Sequence, residues 1–411
     1  MKLVVIGGGA AGFFCAVNAA RMNPSLQVII LEKTVKLLTK VKVSGGGRCN
    51  VTHDCNDISE MASHYPRGRN FVKKSFHEFF TTDTIQWFSE RGLPLKAESD
   101  GRIFPVTDNS QSVIDCLMNE VETYNVEIRL QVSVDSVQKN DDGFVLQVKA
   151  SGRQEQINTD LICIATGGSS KLEGFEWIRL LGHKIIPPVP SLFTFNVPGH
   201  PINSLMGVSV ENAEVRIPKI KEKQQGPLLI THWGLSGPVI LKLSAWCAVE
   251  LAEVKYEFLI AVNWVPEYHE TDMRNFLVEY RTSQGSLQVR NKNPFRLAQR
   301  LWDFLLQNSG IGEETRWSDL PAASLNRLVK NLCSYEMTVS GKTTFKEEFV
   351  TAGGVSLSEI DPQTMESKIV DGIFFAGEVT DVDGITGGYN FQHAWTSGFN
   401  AAKSIAQKSQ N

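Results

Sequence analysis

Three glycines, an acidic residue and a guanidinium stand where this chain could hold a phosphorylated ligand. Gly7, Gly9 and Gly12 form G-x-G-x-x-G, and Glu32 follows about 20 residues later. In that pattern Gly7 makes the tight turn, Gly9 lets a pyrophosphate approach bare backbone, and Gly12 lets a helix pack closely on a strand. The helix start offers unpaired N–H groups and a positive dipole end to phosphate, and Glu32 can accept hydrogen bonds from a ribose. A second run, Ser44-Gly45-Gly46-Gly47-Arg48-Cys49-Asn50, sets bare backbone beside a hydroxyl, an anion-binding guanidinium and an amide. Thr166-Gly167-Gly168 and Gly377-Glu378 each close an apolar run, and the Glu378 carboxylate suits a ligand hydroxyl. Asp383-Gly384-Ile385-Thr386-Gly387-Gly388-Tyr389-Asn390-Phe391-Gln392 leads into a helix whose N–H groups can face a developing negative charge.

These residues need a scaffold, and the hydrophobic pattern supplies one. Lys2-Leu3-Val4-Val5-Ile6 and Val28-Ile29-Ile30-Leu31 read as buried parallel strands, joined by a helix containing Ala16, Ala19 and Ala20. Residues 70–125 show helical periodicity interrupted by a turn at Asp100-Gly101, and 127–149 alternate as a β meander. Asp160–Ala165 and Gly372–Ala376 read as further buried strands whose ends carry the site motifs, where doubly wound sheets bind ligands. Pro187-Pro188-Val189-Pro190 marks a domain crossing. Strand-like segments follow to about residue 263, then a mainly helical stretch, then strands again at 336–357 and a last helix from about 390. The expected organisation is α/β: a discontinuous nucleotide-binding domain (1–190 plus 353–411), a β domain (191–265 plus 335–352) and a helical insert (266–334).

The middle of the chain offers candidates for proton chemistry. In Thr231-His232-Trp233-Gly234-Leu235-Ser236-Gly237-Pro238, His232 is a candidate proton donor with Thr231 beside a substrate. The plainer reading is a structural histidine before a helix capped by Ser236, with Pro238 at its first turn. His393 on the last helix reads as packing. Arg67, Arg69, Lys73 and Lys74 read as a solvated face or the lining of an anionic site. No residue stands out as the catalytic acid or base.

Composition sets the class. The chain has 411 residues, 42% hydrophobic and 21% charged, with a net charge of −4 and a pI near 6.1. That length predicts two or three domains, and the charge argues against a general nucleic-acid or membrane-surface binder. Seven cysteines lie scattered without a C-x-x-C zinc pattern, which fits reduced thiols in the cytoplasm. The chain opens on a strand rather than a signal peptide, and no 18-residue apolar run occurs. No metal is expected.

Taken together, Gly7–Gly12 with Glu32, Ser44–Asn50, Ala165–Gly168 and Gly377-Glu378 with Gly387-Gly388-Tyr389-Asn390 resemble the BaiN-like family of bacterial FAD-dependent oxidoreductases, which includes bile-acid-type reductases and aminoacetone oxidases. The resemblance covers nearly the whole chain, including Thr231–Pro238. It implies a glutathione-reductase-like FAD-binding Rossmann domain, an inserted barrel-like β domain and a small helical domain. It places FAD against Gly9, Ala11, Glu32, Lys33, Ser44, Gly45, Arg48, Asn50, Val134 (through its backbone), Gly168, Gly377, Glu378, Gly388, Tyr389 and Asn390; Gly7, Gly12, Cys49 and Thr166, read from the motifs themselves, complete the candidate cofactor-binding set. The family commonly has Gly-Asn-Gly where this chain has Gly45-Gly46-Gly47, so one side chain is missing here.

Two constraints bear on the reaction. No second strand–GxGxxG–helix unit follows residue 50, so any NAD(P)H is expected to bind transiently, or the electrons come directly from a substrate. Cys49 and Cys55 are spaced C-x5-C, whereas disulfide reductases use C-x4-C, so Cys49 reads as a small loop residue. The expected activity is hydride transfer between a small organic substrate and flavin, as an NAD(P)H-dependent reductase of an activated double bond. An oxygen-using amine oxidase and an FAD-containing RNA-binding or RNA-modifying protein are the alternatives. The RNA alternative requires a basic, aromatic-laced face, and 212–224 supply Arg216, Lys219, Lys221 and Lys223 without an aromatic.

Overall fold

A computed structural model of the protein describes residues 1–343 and 350–410. The chain divides into two compact units, Met1–Ser191 with Lys346–Asn411, and Leu192–Phe345.

The first unit is built on a five-stranded parallel sheet. Its strands are β1 (Lys2–Ile6), β2 (Gln27–Glu32), β3 (Glu127–Leu130), β4 (Leu161–Ile164) and β5 (Ile373–Phe375), in the order β5-β4-β1-β2-β3. Two helices matter for the site: α1 (Ala10–Met22) between β1 and β2, and α2 (Tyr389–Lys408) after β5. In register, Val4 lies between Ile29 on β2 and Ile162 on β4. Leu3, Val4 and Val5 have no exposed surface, as expected for a central parallel strand covered on both faces. A glycine on α2 allows it to come close to α1: a Cβ on Gly398 would lie 2.7 Å from the Ala11 carbonyl oxygen. The meander expected over 127–149 is present from 132 onward, with Val132–Asn140, Gly143–Ala150 and Arg153–Thr159 pairing antiparallel in sequence order, whereas Glu127–Leu130 joins the parallel sheet as β3.

Ile185–Ser191, which carries the prolines, pairs antiparallel with Val350–Val355 inside this first unit. The boundary expected at 353 therefore falls within a strand. Residues 344–349, part of the expected β domain, lie outside the described residues.

The second unit holds a seven-stranded sheet in the order 335–340, 257–263, 209–217, 222–230, 234–236, 194–196, 342–343. Its first and last members are one run of chain broken at Gly341, so the sheet closes on itself with barrel character. Helices Glu270–Ser283, Gln299–Asn308 and Ala322–Cys333 fill the expected helical stretch. Their apolar faces, with Trp302 and Leu328, share one buried core with Val262 and Met337 of the sheet.

Candidate functional site

The three motif glycines each do something different at the carboxyl end of β1. Gly7 has φ +118°, and a Cβ there would sit 2.3 Å from the Ala165 carbonyl oxygen at the end of β4. Gly12 is equally confined, because its Cβ would lie 2.0 Å from the Gly7 carbonyl oxygen. Gly9 is the opposite case, with no atom within 4 Å of a Cβ built on it. Gly9 is also the N-cap of α1, and no side chain caps that helix. The first α1 bond runs from Phe13 N–H to the Gly9 carbonyl (3.0 Å), leaving Ala10, Ala11 and Gly12 N–H without a protein acceptor. Such a start is an anion site by geometry and dipole. Glu32, at the end of β2, accepts from Gly8 N–H (2.8 Å) and from Thr34 N–H (2.9 Å). It thus braces the glycine turn and keeps lone pairs for further donors.

The ends of β4 and β5 adjoin this turn. A Cβ on Gly377 (φ +74°) would lie 2.8 Å from the Ala11 methyl, and one on Gly168 would lie 2.6 Å from Glu378 Oε1. Glu378 accepts from Thr351 N–H (2.8 Å) and pairs with Lys40 (2.5 Å). Thr351 Oγ1 beside it is buried with no partner, an orphaned polar atom. Thr166 is exposed just beyond β4. At the other end, Lys33 lines an open cavity of about 580 Å³ with Gln131, Ser133, Lys149 and Ser151, and Val134 lies on the outer strand of the meander.

The Ser44–Asn50 run departs from a simple loop. It begins as helix Thr39–Gly47, which breaks at Ser44, Gly45 and Gly46, the glycines taking φ +58° and +68°. Gly46 and Gly47 meet nothing within 4 Å, so this backbone is open. Arg48 Nη1 pairs with Glu98 (2.6 Å) and the guanidinium lies over the Phe104 ring (4.0 Å), so Glu98 engages one nitrogen of the fork expected to face pyrophosphate. Cys49 is buried, and burial pushes its thiol up to about 12. Cys55 is raised by burial too, and both are free thiols, which suits the structural reading over a redox pair.

Asn50 links this run to the start of α2. With its amide oriented to satisfy both ends, the oxygen accepts from Gly388 N–H (3.0 Å) and the nitrogen donates to the Thr52 carbonyl (2.9 Å). Gly388 must be glycine, since its φ is +94° and a Cβ would lie 2.5 Å from the Thr52 carbonyl oxygen. The first α2 bond is Gln392 N–H to the Gly388 carbonyl (2.9 Å), so Tyr389, Asn390 and Phe391 N–H have no protein acceptor. The Asn390 side chain instead braces the preceding loop, accepting from Gly384 N–H (2.8 Å) and donating to the Gly384 carbonyl (2.9 Å).

Several contacts that support this region carry no signal in the sequence. Tyr65 O–H donates to the Tyr389 carbonyl (2.5 Å). His53 Nδ1 bonds the Gly387 carbonyl (3.0 Å), and the His53 and His64 rings lie against Tyr389. Arg67, expected on a solvated face or anion lining, forms a two-pronged pair with buried Asp383, which also accepts from Ser191 Oγ (2.7 Å). Burial raises the Asp383 pKa while Arg67 opposes the shift. None of these pairings is marked by a diagnostic spacing, and only folding brings the partners together.

Thr231 and His232 lie in the second unit. The Thr231 hydroxyl donates to the Gly234 carbonyl (3.0 Å) and accepts from Gly234 N–H (3.1 Å), so it closes a turn. His232 is exposed and meets Trp233 edge-on. Gly237, not Ser236, caps the following helix Pro238–Trp246, with Pro238 in its first turn. His393 is fully buried, its Nε2 lies 3.0 Å from Thr380 Oγ1, and burial lowers its pKa to about 4. It packs as a neutral ring.

The residues fit FAD. Bare backbone at Gly9 with three open α1 donors suits the pyrophosphate, Glu32 the ribose, Glu378 with the orphaned Thr351 hydroxyl a polyol chain, and the uncapped α2 start an electron-rich ring edge. Together with the relatives of this chain, fold and site define a flavin-dependent oxidoreductase with an FAD-binding Rossmann domain.

The chain belongs to the HI0933-like family: the family described as HI0933-like protein Rossmann domain matches residues 1–404. It is 30% identical over 421 residues to the 3-dehydro-bile acid delta(4,6)-reductase of Clostridium scindens, covering 99% of both chains. It is also 30% identical over 419 residues to the ribosomal RNA dihydrouridine synthase of Escherichia coli, covering 99% of this chain and 98% of that one. Among solved structures, 3-ketosteroid-delta4-(5alpha)-dehydrogenase from Rhodococcus jostii superposes with a TM-score of 0.53 at 12% identity, over 98% of this chain and 97% of that chain, a likeness of fold.

Proposed function

We propose that this flavoprotein reduces a carbon–carbon double bond conjugated to a carbonyl in a small organic substrate, with NAD(P)H as the electron source. The carrying observation is the uncapped start of α2, where Tyr389, Asn390 and Phe391 offer N–H donors to negative charge. When bound, FAD supplies hydride transfer, and such donors favour its reduced, electron-rich form. The names of the two 30%-identical relatives support the bond type. A delta(4,6)-reductase of a 3-dehydro bile acid and a dihydrouridine synthase both saturate a double bond conjugated to a carbonyl.

The chain's own part is to bind and orient. Gly9 and α1 would hold the pyrophosphate, Glu32 and Lys33 the adenosine end, Glu378 and Gly168 the ribityl chain, and the Gly388–Asn390 backbone the isoalloxazine. One parallel Rossmann sheet occurs among the described residues, which supports transient rather than resident nicotinamide binding. Free thiols at all seven cysteines support a cytoplasmic setting. Among the described residues no helix is long and apolar enough to cross a membrane.

A second reading takes uridine in RNA as the substrate, on the strength of the Escherichia coli relative. Against it, the basic residues at 212–224 are interleaved with acids: Lys223 pairs with Glu214 (2.8 Å), and Arg216 donates to Ser334 (2.8 Å). Anaerobic mixing tests the reading. NADH or NADPH is expected to bleach the flavin, and an enone steroid to restore its colour. Bleaching by an amine but by neither nicotinamide would establish the oxidase alternative. Reoxidation by uridine-containing RNA but not by enones would establish the RNA reading, and protein purified without releasable flavin would overturn the FAD assignment.

A further inference from the structure

We propose that His53 is a positioning residue that fixes the Gly387–Gly388 peptide and so sets the reduction potential of the bound flavin. The inference rests on the flavoprotein reading above.

Gly387 and Gly388 have φ +133° and +94°, the region where glycine moves most freely. The peptide between them precedes the open N–H groups of α2, so its orientation decides where those donors aim. Both of its ends are gripped from one short stretch of chain. His53 Nδ1 bonds the Gly387 carbonyl at 3.0 Å, and the Asn50 oxygen accepts from Gly388 N–H at 3.0 Å. A carbonyl only accepts, so Nδ1 carries the proton whatever the charge of the ring.

His53 is itself held in place. Strand Thr52–His53 pairs with Arg102–Pro105, and Asp54 N–H donates to the Gly101 carbonyl (2.7 Å). Gly101 leaves room for the ring, since a Cβ there would lie 2.6 Å from His53 Nε2. The ring lies nearly parallel to Tyr389, with centroids 4.9 Å apart and planes 24° apart. Tyr389 is itself tied down through its carbonyl by Tyr65. His53 therefore combines a hydrogen bond that orients the peptide with a face that packs on the first residue of α2.

Two variants separate these roles. His53→Phe keeps a ring against Tyr389 and loses the donor, whereas His53→Asn keeps a donor near the Nδ1 position and loses the ring. The readouts are the two-electron potential of the bound flavin and the FAD dissociation constant, compared at equal flavin occupancy. In His53→Phe the affinity ratio of reduced to oxidised FAD is expected to fall about tenfold, lowering the potential by about 30 mV. His53→Asn is expected to hold near the wild-type potential. A wild-type potential in flavin-loaded His53→Phe, or equal drops in both variants, would overturn the inference. Wild-type protein that binds no FAD would overturn instead the reading beneath it.

Discussion

Alanine at Gly9 should separate ligand approach from folding more cleanly than any other change in the site. Gly9 has φ −95° and ψ −175°, an extended conformation open to alanine, and the added methyl would meet no protein atom within 4 Å. Replacing an N-cap glycine by alanine costs about 0.5–1 kcal/mol. The stiffer unfolded chain returns about 0.4–1 kcal/mol. The apoprotein should therefore melt almost as wild type. The methyl instead fills the space in which a pyrophosphate oxygen would reach the α1 donors. Losing one charge-assisted hydrogen bond is worth about 1.5–3 kcal/mol, or roughly 10- to 150-fold in affinity. FAD titration by fluorescence quenching measures the affinity, and melts with and without FAD report the same loss by linkage. Gly12→Ala is the control, since its Cβ would lie 2.0 Å from the Gly7 carbonyl oxygen and should prevent normal folding. Wild-type FAD affinity in Gly9→Ala would refute the placement of the pyrophosphate, and an unfolded apoprotein would refute the claim of empty space.

Glu32→Ala should weaken FAD retention and also cost about 1–3 kcal/mol, because buried Gly8 N–H loses its acceptor; Glu32→Gln, which keeps an acceptor oxygen, should recover part of the stability in urea titrations. Arg67→Met leaves the Asp383 carboxylate buried without its partner and should cost about 3–5 kcal/mol, whereas Arg67→Met with Asp383→Asn should be milder; equal urea midpoints for the two would count against a charge effect. His393, with a folded pKa near 4 against 6.5 unfolded, stays neutral in the native protein while the unfolded chain gains a proton. Stability should therefore be unaffected by this group above pH 6.5 and fall by about 3 kcal/mol as pH drops towards 4. His393→Leu should flatten that slope, and an unchanged slope would show that the ring does not remain neutral.

What could be read in advance was whatever local pattern and backbone sterics determine. Leu3–Ile6, Val28–Leu31 and Leu161–Ile164 are apolar runs too short for helices, and they form adjacent strands of one sheet. The distinct roles of Gly7, Gly9 and Gly12 follow from their spacing, and the confined and open Cβ positions agree with them. The local pattern fell short where another residue competed for a role or a partner. Arg48 reads as a phosphate donor, and the local pattern gives no hint that its Nη1 also pairs with Glu98, remote in sequence. Ser236 is a reasonable cap by residue type, but Gly237 at φ +97° makes the turn that Ser236 would have had to make. His53, Tyr65 and Thr351 carry no pattern because their partners are remote in sequence, and the sheet and the loop braces bring them to the site.

The two uncapped helix starts share one ligand but face different electrostatic demands. The start of α1 would face a pyrophosphate whose charge is present whenever the cofactor is bound, so its donors contribute mainly to affinity. Its support is correspondingly rigid, since Glu32 accepts from Gly8 and confined packing at Gly7 and Gly12 leaves the turn little freedom. The start of α2 would face charge that arises only on reduction, so its donors contribute to the difference between two redox states. A difference is sensitive to small changes of angle, and that start depends on two pliable glycines held by side-chain hydrogen bonds from Asn50 and His53. Substitutions around α1 should therefore change how much FAD is bound, and substitutions around α2 should change what bound FAD can reduce. A variant of Asn50 or His53 that lowers FAD affinity while leaving the flavin potential at its wild-type value would contradict this division.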